Sequence, residues 1–94
     1  MPLFTYRGSD GPRGLALRKT VRERHLAHLR RLADAGRVRF GGPLIDADGN
    51  PCGSLVILEA DDLASARQIA ESDPYLLEGV FEKVEVLETR GVLP

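Results

Sequence analysis

The residues of this sequence that could do chemistry are concentrated on one predicted helix, Leu15 to Gly36, which contains both histidines. At about 100° per residue, the apolar side chains of this helix fall on one half of its surface. Arg18, Arg22 and His25 fall on that same half. A helix used only for packing has no reason to direct three basic groups toward its own core. We therefore predict that a polar group or a ligand faces this side of the helix.

His25 suits proton transfer, because an imidazole titrates near neutral pH and can both accept and return a proton. The alternative is a structural histidine, either satisfied by a backbone carbonyl in the core or buried between two subunits. The spacing of His25 along the helix is compatible with both interpretations. His28 lies toward the edge of the apolar half, where a position at the surface margin is expected.

Asp73 is the second candidate, and it stands directly before Pro74. An aspartate followed by proline is a common start of a helical turn, which would here run through Tyr75. The same carboxylate could orient the imidazole of His25 and fix its tautomer, or act as a second acid–base group. Capping and catalysis are compatible only if the carboxylate keeps an oxygen free for His25.

Five further residues are candidate ligand contacts: Arg18, Arg22, Gly42, Ser54 and Tyr75. The guanidinium fork of an arginine suits a carboxylate or phenolate, although either arginine could instead pair with Asp73. Arg18 could also extend its head group into solvent. Ser54 and the backbone of Gly42 could supply hydrogen bonds or serve packing only. Tyr75 could stack on a ring ligand or be a half-buried structural tyrosine.

The elements that must position these residues follow from the hydrophobic pattern. Strands are predicted at 3–7, 37–45, 53–59 and 80–87, and helices at 15–36 and 63–72. This β-α-β-β-α-β order predicts an α+β, ferredoxin-like fold: a four-stranded antiparallel sheet with both helices on one face. The apolar strand 53–59 leaves side chains on the other face, so a homodimer that packs sheet on sheet is expected.

Composition limits the class of protein. The 94 residues predict a single domain, 1–94, and a net charge of -1 gives no electrostatic reason to expect nucleic acid or a membrane as partner. The single cysteine, Cys52, excludes a disulfide framework. Neither a metal-ligand pattern nor a nucleotide fingerprint occurs, so no cofactor and no metal are expected. With no signal-peptide pattern or long apolar run, we expect a cytoplasmic protein.

A series of short motifs resembles the YciI-like, or YCII-related, family in type and order. They are Arg18 to Leu26, Gly36-Arg37, Gly42-Pro43, Gly53-Ser54, Asp73-Pro74-Tyr75 and Gly79-Val80. The resemblance implies a dimeric α/β barrel with a pocket centred on a histidine and an aspartate, which by motif are His25 and Asp73. Relatives in this group include a dehydrochlorinase that acts on a chlorinated hydroxyhydroquinone. Lactone isomerases and small monooxygenases have similar folds.

The resulting hypothesis is a cofactor-independent enzyme that performs lyase- or isomerase-type acid–base chemistry, such as dehydrochlorination, on a small oxygenated or phenolic metabolite. His25 would be the general base. Asp73 would orient the imidazole of His25 or act as the acid, and Arg22 would bind the negative charge of the substrate. The alternative is a non-catalytic dimeric module that binds a small ligand or a partner. A heavy-metal or redox protein ranks last, because the sequence lacks the ligands.

Overall fold

The computed structural model describes residues 1–94 and contains every predicted element. The chain runs through β1 (Leu3–Asp10), α1 (Gly14–Asp34), β2 (Val38–Ile45), β3 (Pro51–Glu59), α2 (Leu63–Glu71), α3 (Pro74–Leu77) and β4 (Phe81–Thr89). The short helix α3 is the turn predicted from Asp73 and Pro74. Strand β1 continues three residues beyond the predicted end, to Asp10. No helix has the length and apolar character needed to span a membrane.

The four strands form one antiparallel sheet in the order β2-β3-β1-β4. Tyr6 pairs with Val56, and Phe4 with Leu58, so these four side chains share a face. All four are buried, and they pack against the small residues Ala66 and Ala70 of α2. The predicted ferredoxin-like α+β fold is therefore confirmed.

Helix α1 packs tightly on the sheet only in its first half. Its buried residues are Gly14, Arg18, Val21 and His25. At Gly14 an added Cβ atom would lie 2.7 Å from the carbonyl oxygen of Val80, so only glycine allows this close approach. Beyond His25 the helix has no fully buried residue, although Leu29 packs on the main core, and a cavity lies between α1 and the strands β2 and β3.

The other face of the sheet carries no helix. The register places Thr5, Phe40, Ile57 and Leu87 on this side. Phe40 is 51% exposed and Leu87 is 68% exposed. Together with Leu55, these residues make an apolar patch, which we call the open sheet face. Contiguous apolar surface of this kind marks an interaction site in soluble proteins.

Candidate functional site

The structure brings His25 and Asp73 into direct contact, although they are 48 positions apart in the chain. Nδ1 of His25 lies 2.8 Å from Oδ1 and 2.9 Å from Oδ2 of Asp73. Asp73 is 0% exposed and His25 is 6% exposed. A carboxylate can only accept, so Nδ1–H is the donor in the neutral ring. The helix α1 supplies the imidazole, and the start of α3 supplies the carboxylate.

Asp73 accepts two further hydrogen bonds, so it is both a cap and a partner of the imidazole. The backbone N–H of Tyr75 donates to Oδ1 at 2.8 Å, which makes Asp73 the N-cap of α3. The hydroxyl of Tyr6 donates to Oδ2 at 2.7 Å. Three donors from β1, α1 and α3 thus surround one carboxylate, which fixes its position and completes its hydrogen bonding.

Tyr6 is the residue that sequence reasoning missed. Its position two residues after Phe4, in an alternating strand, predicts an inward-facing side chain. A buried tyrosine hydroxyl normally finds a hydrogen-bond partner, and this was the available signal. The identity of that partner could not be read, because Tyr6 and Asp73 lie 67 positions apart.

The buried hydroxyl of Tyr6 is expected to make the stability of the fold pH-dependent in the alkaline range. Burial, the charge of Asp73 and the hydrogen bond to it all raise the pKa of Tyr6 far above its ordinary value. The unfolded chain therefore loses this proton near pH 10, whereas the folded chain keeps it. Above about pH 10, Tyr6 should lower the free energy of unfolding by about 1.4 kcal/mol per pH unit.

Denaturant unfolding at pH 9, 10 and about 11 measures this slope in wild type and in Tyr6→Phe. The variant should lose stability more slowly with rising pH. Burial also raises the pKa of Tyr75, but Tyr75 contributes to both proteins and cancels in the comparison. Equal slopes would show that the Tyr6 proton is not held by the network.

The other ring nitrogen of His25, Nε2, makes no hydrogen bond within the protein. No buried side-chain nitrogen or oxygen lacks a partner, so Nε2 is accessible, and His25 lines the cavity. The ring is held in place by Tyr75, which stacks on it at 3.8 Å and an interplanar angle of 4°. Phe81 packs edge-on against the same ring. The arrangement therefore holds one ring nitrogen on a carboxylate and leaves the other free in the cavity.

Arg18 forms its ion pair with Asp10, not with Asp73. Nε and Nη2 donate to the two carboxylate oxygens of Asp10, each at 2.8 Å, and Nη2 also donates to the carbonyl of Gly53 at 2.8 Å. Burial disfavours the charged guanidinium, but the hydrogen bonds and charge of Asp10 outweigh it and raise the pKa of Arg18. The solvent-exposed position considered for Arg18 is wrong, because the residue is 9% exposed.

Arg22, one turn further along α1, lines the cavity and forms no ion pair in the structure. The pairing with Asp73 that the sequence left open is not made, because His25 and Tyr6 occupy both carboxylate oxygens. Arg22 therefore keeps its charge available to a ligand. The role of Arg22 in binding a ligand stays a prediction.

The cavity has a volume of about 710 Å³ and lies between α1 and the strands β2 and β3. Six of the seven predicted site residues line it: Arg18, Arg22, His25, Gly42, Ser54 and Tyr75. Asp73 lies behind His25 and does not reach the cavity. The charged residues of the wall are Arg18, Lys19, Arg22 and Arg30, and the wall has no acidic residue. An anionic or electron-rich ligand is the species that this charge distribution favours.

The remaining candidate ligands for a metal are dispersed. No group of three or more histidine, cysteine or acidic side chains is arranged to hold a metal ion. Nε2 of His28 lies 2.8 Å from the carbonyl oxygen of Ile69, so this ring is tied to the last turn of α2 rather than to the cavity. Cys52 is exposed on β3.

Comparison with known proteins gives the family. The YCII-related domain matches residues 3–90. This chain belongs to the YCII-related family. The protein is 38% identical over 90 residues to protein YciI of Escherichia coli O6:H1. The match covers 89% of this chain and 92% of YciI. The resemblance seen in the sequence motifs is therefore confirmed.

Two solved structures are similar in fold to this YCII-related protein. The dehydrochlorinase TftG from Burkholderia phenoliruptrix, which acts on 5-chloro-2-hydroxyhydroquinone, was solved with 2,5-dihydroxybenzoquinone bound. It superimposes with a TM-score of 0.83 at 29% identity, over 94% of this chain and 93% of its own. SnoaB, a cofactor-independent oxygenase from Streptomyces nogalater, superimposes with a TM-score of 0.54 at 14% identity. The match covers 98% of this chain and 93% of SnoaB, and it shows similarity of fold alone.

Proposed function

We propose that this YCII-related protein is a cofactor-independent enzyme that performs lyase- or isomerase-type acid–base chemistry on a small oxygenated or phenolic compound. The observation that carries the proposal is the accessible, unbonded Nε2 of His25 in a cavity whose charged side chains are all cationic. The likeness to a dehydrochlorinase with a bound dihydroxybenzoquinone supports the same substrate class.

In the proposed reaction, Nε2 of His25 accepts a proton from a hydroxyl group or a ring carbon of the bound compound. The imidazolium that forms is stabilised by Asp73, which holds Nδ1–H and fixes the tautomer. The donors from Tyr6 and Tyr75 keep the carboxylate in place during this transfer. Arg22 would neutralise the phenolate or enolate charge that develops on the substrate.

Dehydrochlorination is the elimination that such a site could perform with these groups alone. Loss of HCl removes one proton and one chloride ion from the substrate, and the electron pair left by the proton forms the new double bond. No electrons pass to an acceptor, so the net reaction needs an acid–base group and no redox partner. An isomerisation would use the same nitrogen, which would return the proton to another atom.

The test is chloride release from 5-chloro-2-hydroxyhydroquinone, together with isomerisation of a panel of small lactones. The proposal expects wild type to turn over at least one of these compounds and to bind 2,5-dihydroxybenzoquinone in the cavity. Failure of both turnover and binding would overturn it.

A non-catalytic ligand-binding or interaction module is the second candidate, and the burial of the polar network favours it. Asp73 is fully buried, and its three hydrogen bonds tie β1, α1 and α3 together. In this case the network would serve the fold, and replacement of His25 would change stability without changing any reaction.

We also propose that two copies pair through the open sheet face, as the ferredoxin-like dimeric barrels do. The exposed apolar side chains of Phe40 and Leu87 support this arrangement, because their burial would stabilise a dimer. The cytoplasmic location expected from the sequence stays a prediction.

A charge on the open sheet face should separate the two copies. We expect Leu87→Asp to sediment as a monomer at concentrations where wild type sediments as a dimer, because the carboxylate would be buried without a partner. Leu77→Asp is the matched control, since Leu77 is equally exposed, at 69%, but lies on α3. A monomeric wild type, or dimers in both variants, would contradict this arrangement.

A further inference from the structure

The cavity is longer than the site around His25 requires. Its wall follows α1 from Leu15 to Ala33, which is about 27 Å at 1.5 Å per residue. A volume of about 710 Å³ lies within the range of cavities that hold drug-sized molecules, roughly 300–1,000 Å³. A single six-membered ring placed against His25 would therefore leave much of the cavity unfilled.

The two ends of the cavity differ in chemistry. The end near the start of α1 carries Arg18, Arg22 and Ser54, with Tyr75 beside them. The end near the start of β2 is formed by Leu26, Leu29, Ala33 and Val38, and we call it the apolar arm. Leu29 and Val38 of the arm also pack on the main hydrophobic core, so its floor is fixed by the fold.

The apolar arm and the open sheet face lie on opposite sides of the sheet. The arm lies on the helical side of the sheet, because Val38 pairs with Leu58, which faces α2 and the core. A second copy on the open sheet face would pack on the opposite side and would leave the arm accessible. The only charged residue along the arm is Arg30.

We infer that the natural ligand is an anion with an extended apolar substituent, whose charged head lies near Arg22 and His25 and whose substituent fills the apolar arm. This inference rests on the proposed function only for the head of the ligand, which reacts at His25. Charge complementarity places the head group, since the cavity wall is cationic and has no acidic residue. Burial of methylene groups in the arm adds affinity that a bare ring cannot obtain.

The experiment is calorimetric titration with 2,5-dihydroxybenzoquinone and its 3-propyl and 3-hexyl derivatives. Each methylene that enters the arm should lower Kd about fourfold, so the propyl compound should bind more than tenfold tighter than the parent. Ala33→Trp should fill the arm and remove this gain in affinity with chain length. Ala27→Trp is the matched control, because Ala27 lies on the same helix but outside the cavity wall.

A parallel titration with butanoate, hexanoate and octanoate separates this inference from the proposed function. In one outcome the quinones neither bind nor turn over, but carboxylate affinity rises with chain length and Ala33→Trp abolishes the rise. That result would support the apolar arm as a binding site and overturn the proposed chemistry. If the parent quinone binds and the alkyl chains add nothing, the inference is overturned and the proposed chemistry stands. A rise that Ala33→Trp and Ala27→Trp affect equally also overturns the inference.

Discussion

Replacement of His25 by glutamine is expected to lower kcat/KM for HCl elimination by a factor of about 10² to 10⁴, which is the usual contribution of a general base. The amide nitrogen of glutamine matches the position of Nε2 rather than that of Nδ1, so the hydrogen bond to Asp73 should weaken. The fold should be retained, because Tyr6 and the backbone N–H of Tyr75 still donate to Asp73. The side chain cannot accept a proton at neutral pH, so the chemical step should be lost. Initial rates of chloride release, with circular dichroism of the same samples, measure the effect.

His28→Gln is the matched control for this prediction. His28 lies on the same helix, and its ring bonds only to the backbone carbonyl of Ile69, outside the cavity wall. We expect its kcat/KM to stay within about twofold of wild type, because His28 is partly buried against α2 and does not contact the cavity. Equal rates in wild type and His25→Gln would remove His25 from the mechanism and favour the non-catalytic module.

Removal of the Asp73 carboxylate should have the largest effect on stability. Asp73→Ala leaves the hydroxyl of Tyr6 and Nδ1–H of His25 buried without an acceptor, and it removes the cap of α3. Breaking a buried pair of this kind costs about 3–5 kcal/mol. In a domain of this size, that loss lowers Tm by tens of degrees, at about 4–8 °C per kcal/mol. Thermal unfolding followed by circular dichroism measures it.

Two other variants show which part of the loss is due to the network. Asp73→Asn keeps an oxygen for the Tyr75 N–H, so it should be more stable than Asp73→Ala while losing the negative charge that stabilises an imidazolium. Asp62→Ala removes the N-cap of α2, an exposed residue that accepts one backbone N–H, from Ser65. A loss in Asp73→Ala no larger than that in Asp62→Ala would show that the buried network does not support the fold.

The fold was predictable because its information is local. The 3.6-residue period of α1, the alternation of β2 and the apolar run of β3 each identify an element without reference to distant residues. The Asp73-Pro74 pair likewise marked the start of α3. The end of β1 was placed too early, since the glycines and Ser9 read as a turn. In the structure, pairing with β3 and β4 extends the strand through Asp10.

The contacts of the candidate site were only partly predictable. The spacing of Arg18, Arg22 and His25 indicated a polar counterpart, and the family resemblance named Asp73. The pairing of Arg18 with Asp10 was missed because Asp10 had been assigned to a loop. Tyr6 was missed because its bond to Asp73 depends on how β1 passes beneath α1 and α3.

A pocket at His25 was expected from the family resemblance, but its size could not be predicted, because the volume depends on how far α1 stands from the sheet. That distance is set at Gly14, where the helix approaches the backbone at Val80, and at Arg18, which is tied to β3 through Gly53. Both contacts join segments that are far apart in the chain. A sequence pattern identifies the apolar side of a helix but carries no information about the width of the gap beneath it.

The most direct test of this account is the protonation pattern of the His25 ring, read by ¹⁵N NMR of histidine-labelled protein. The neutral ring is expected to carry its proton on Nδ1, held by Asp73, and to have a bare Nε2. Addition of 2,5-dihydroxybenzoquinone should then shift the Nε2 resonance of His25 and leave that of His28 unchanged. A neutral ring protonated on Nε2, or an Nε2 resonance that does not respond to the quinone, would contradict it.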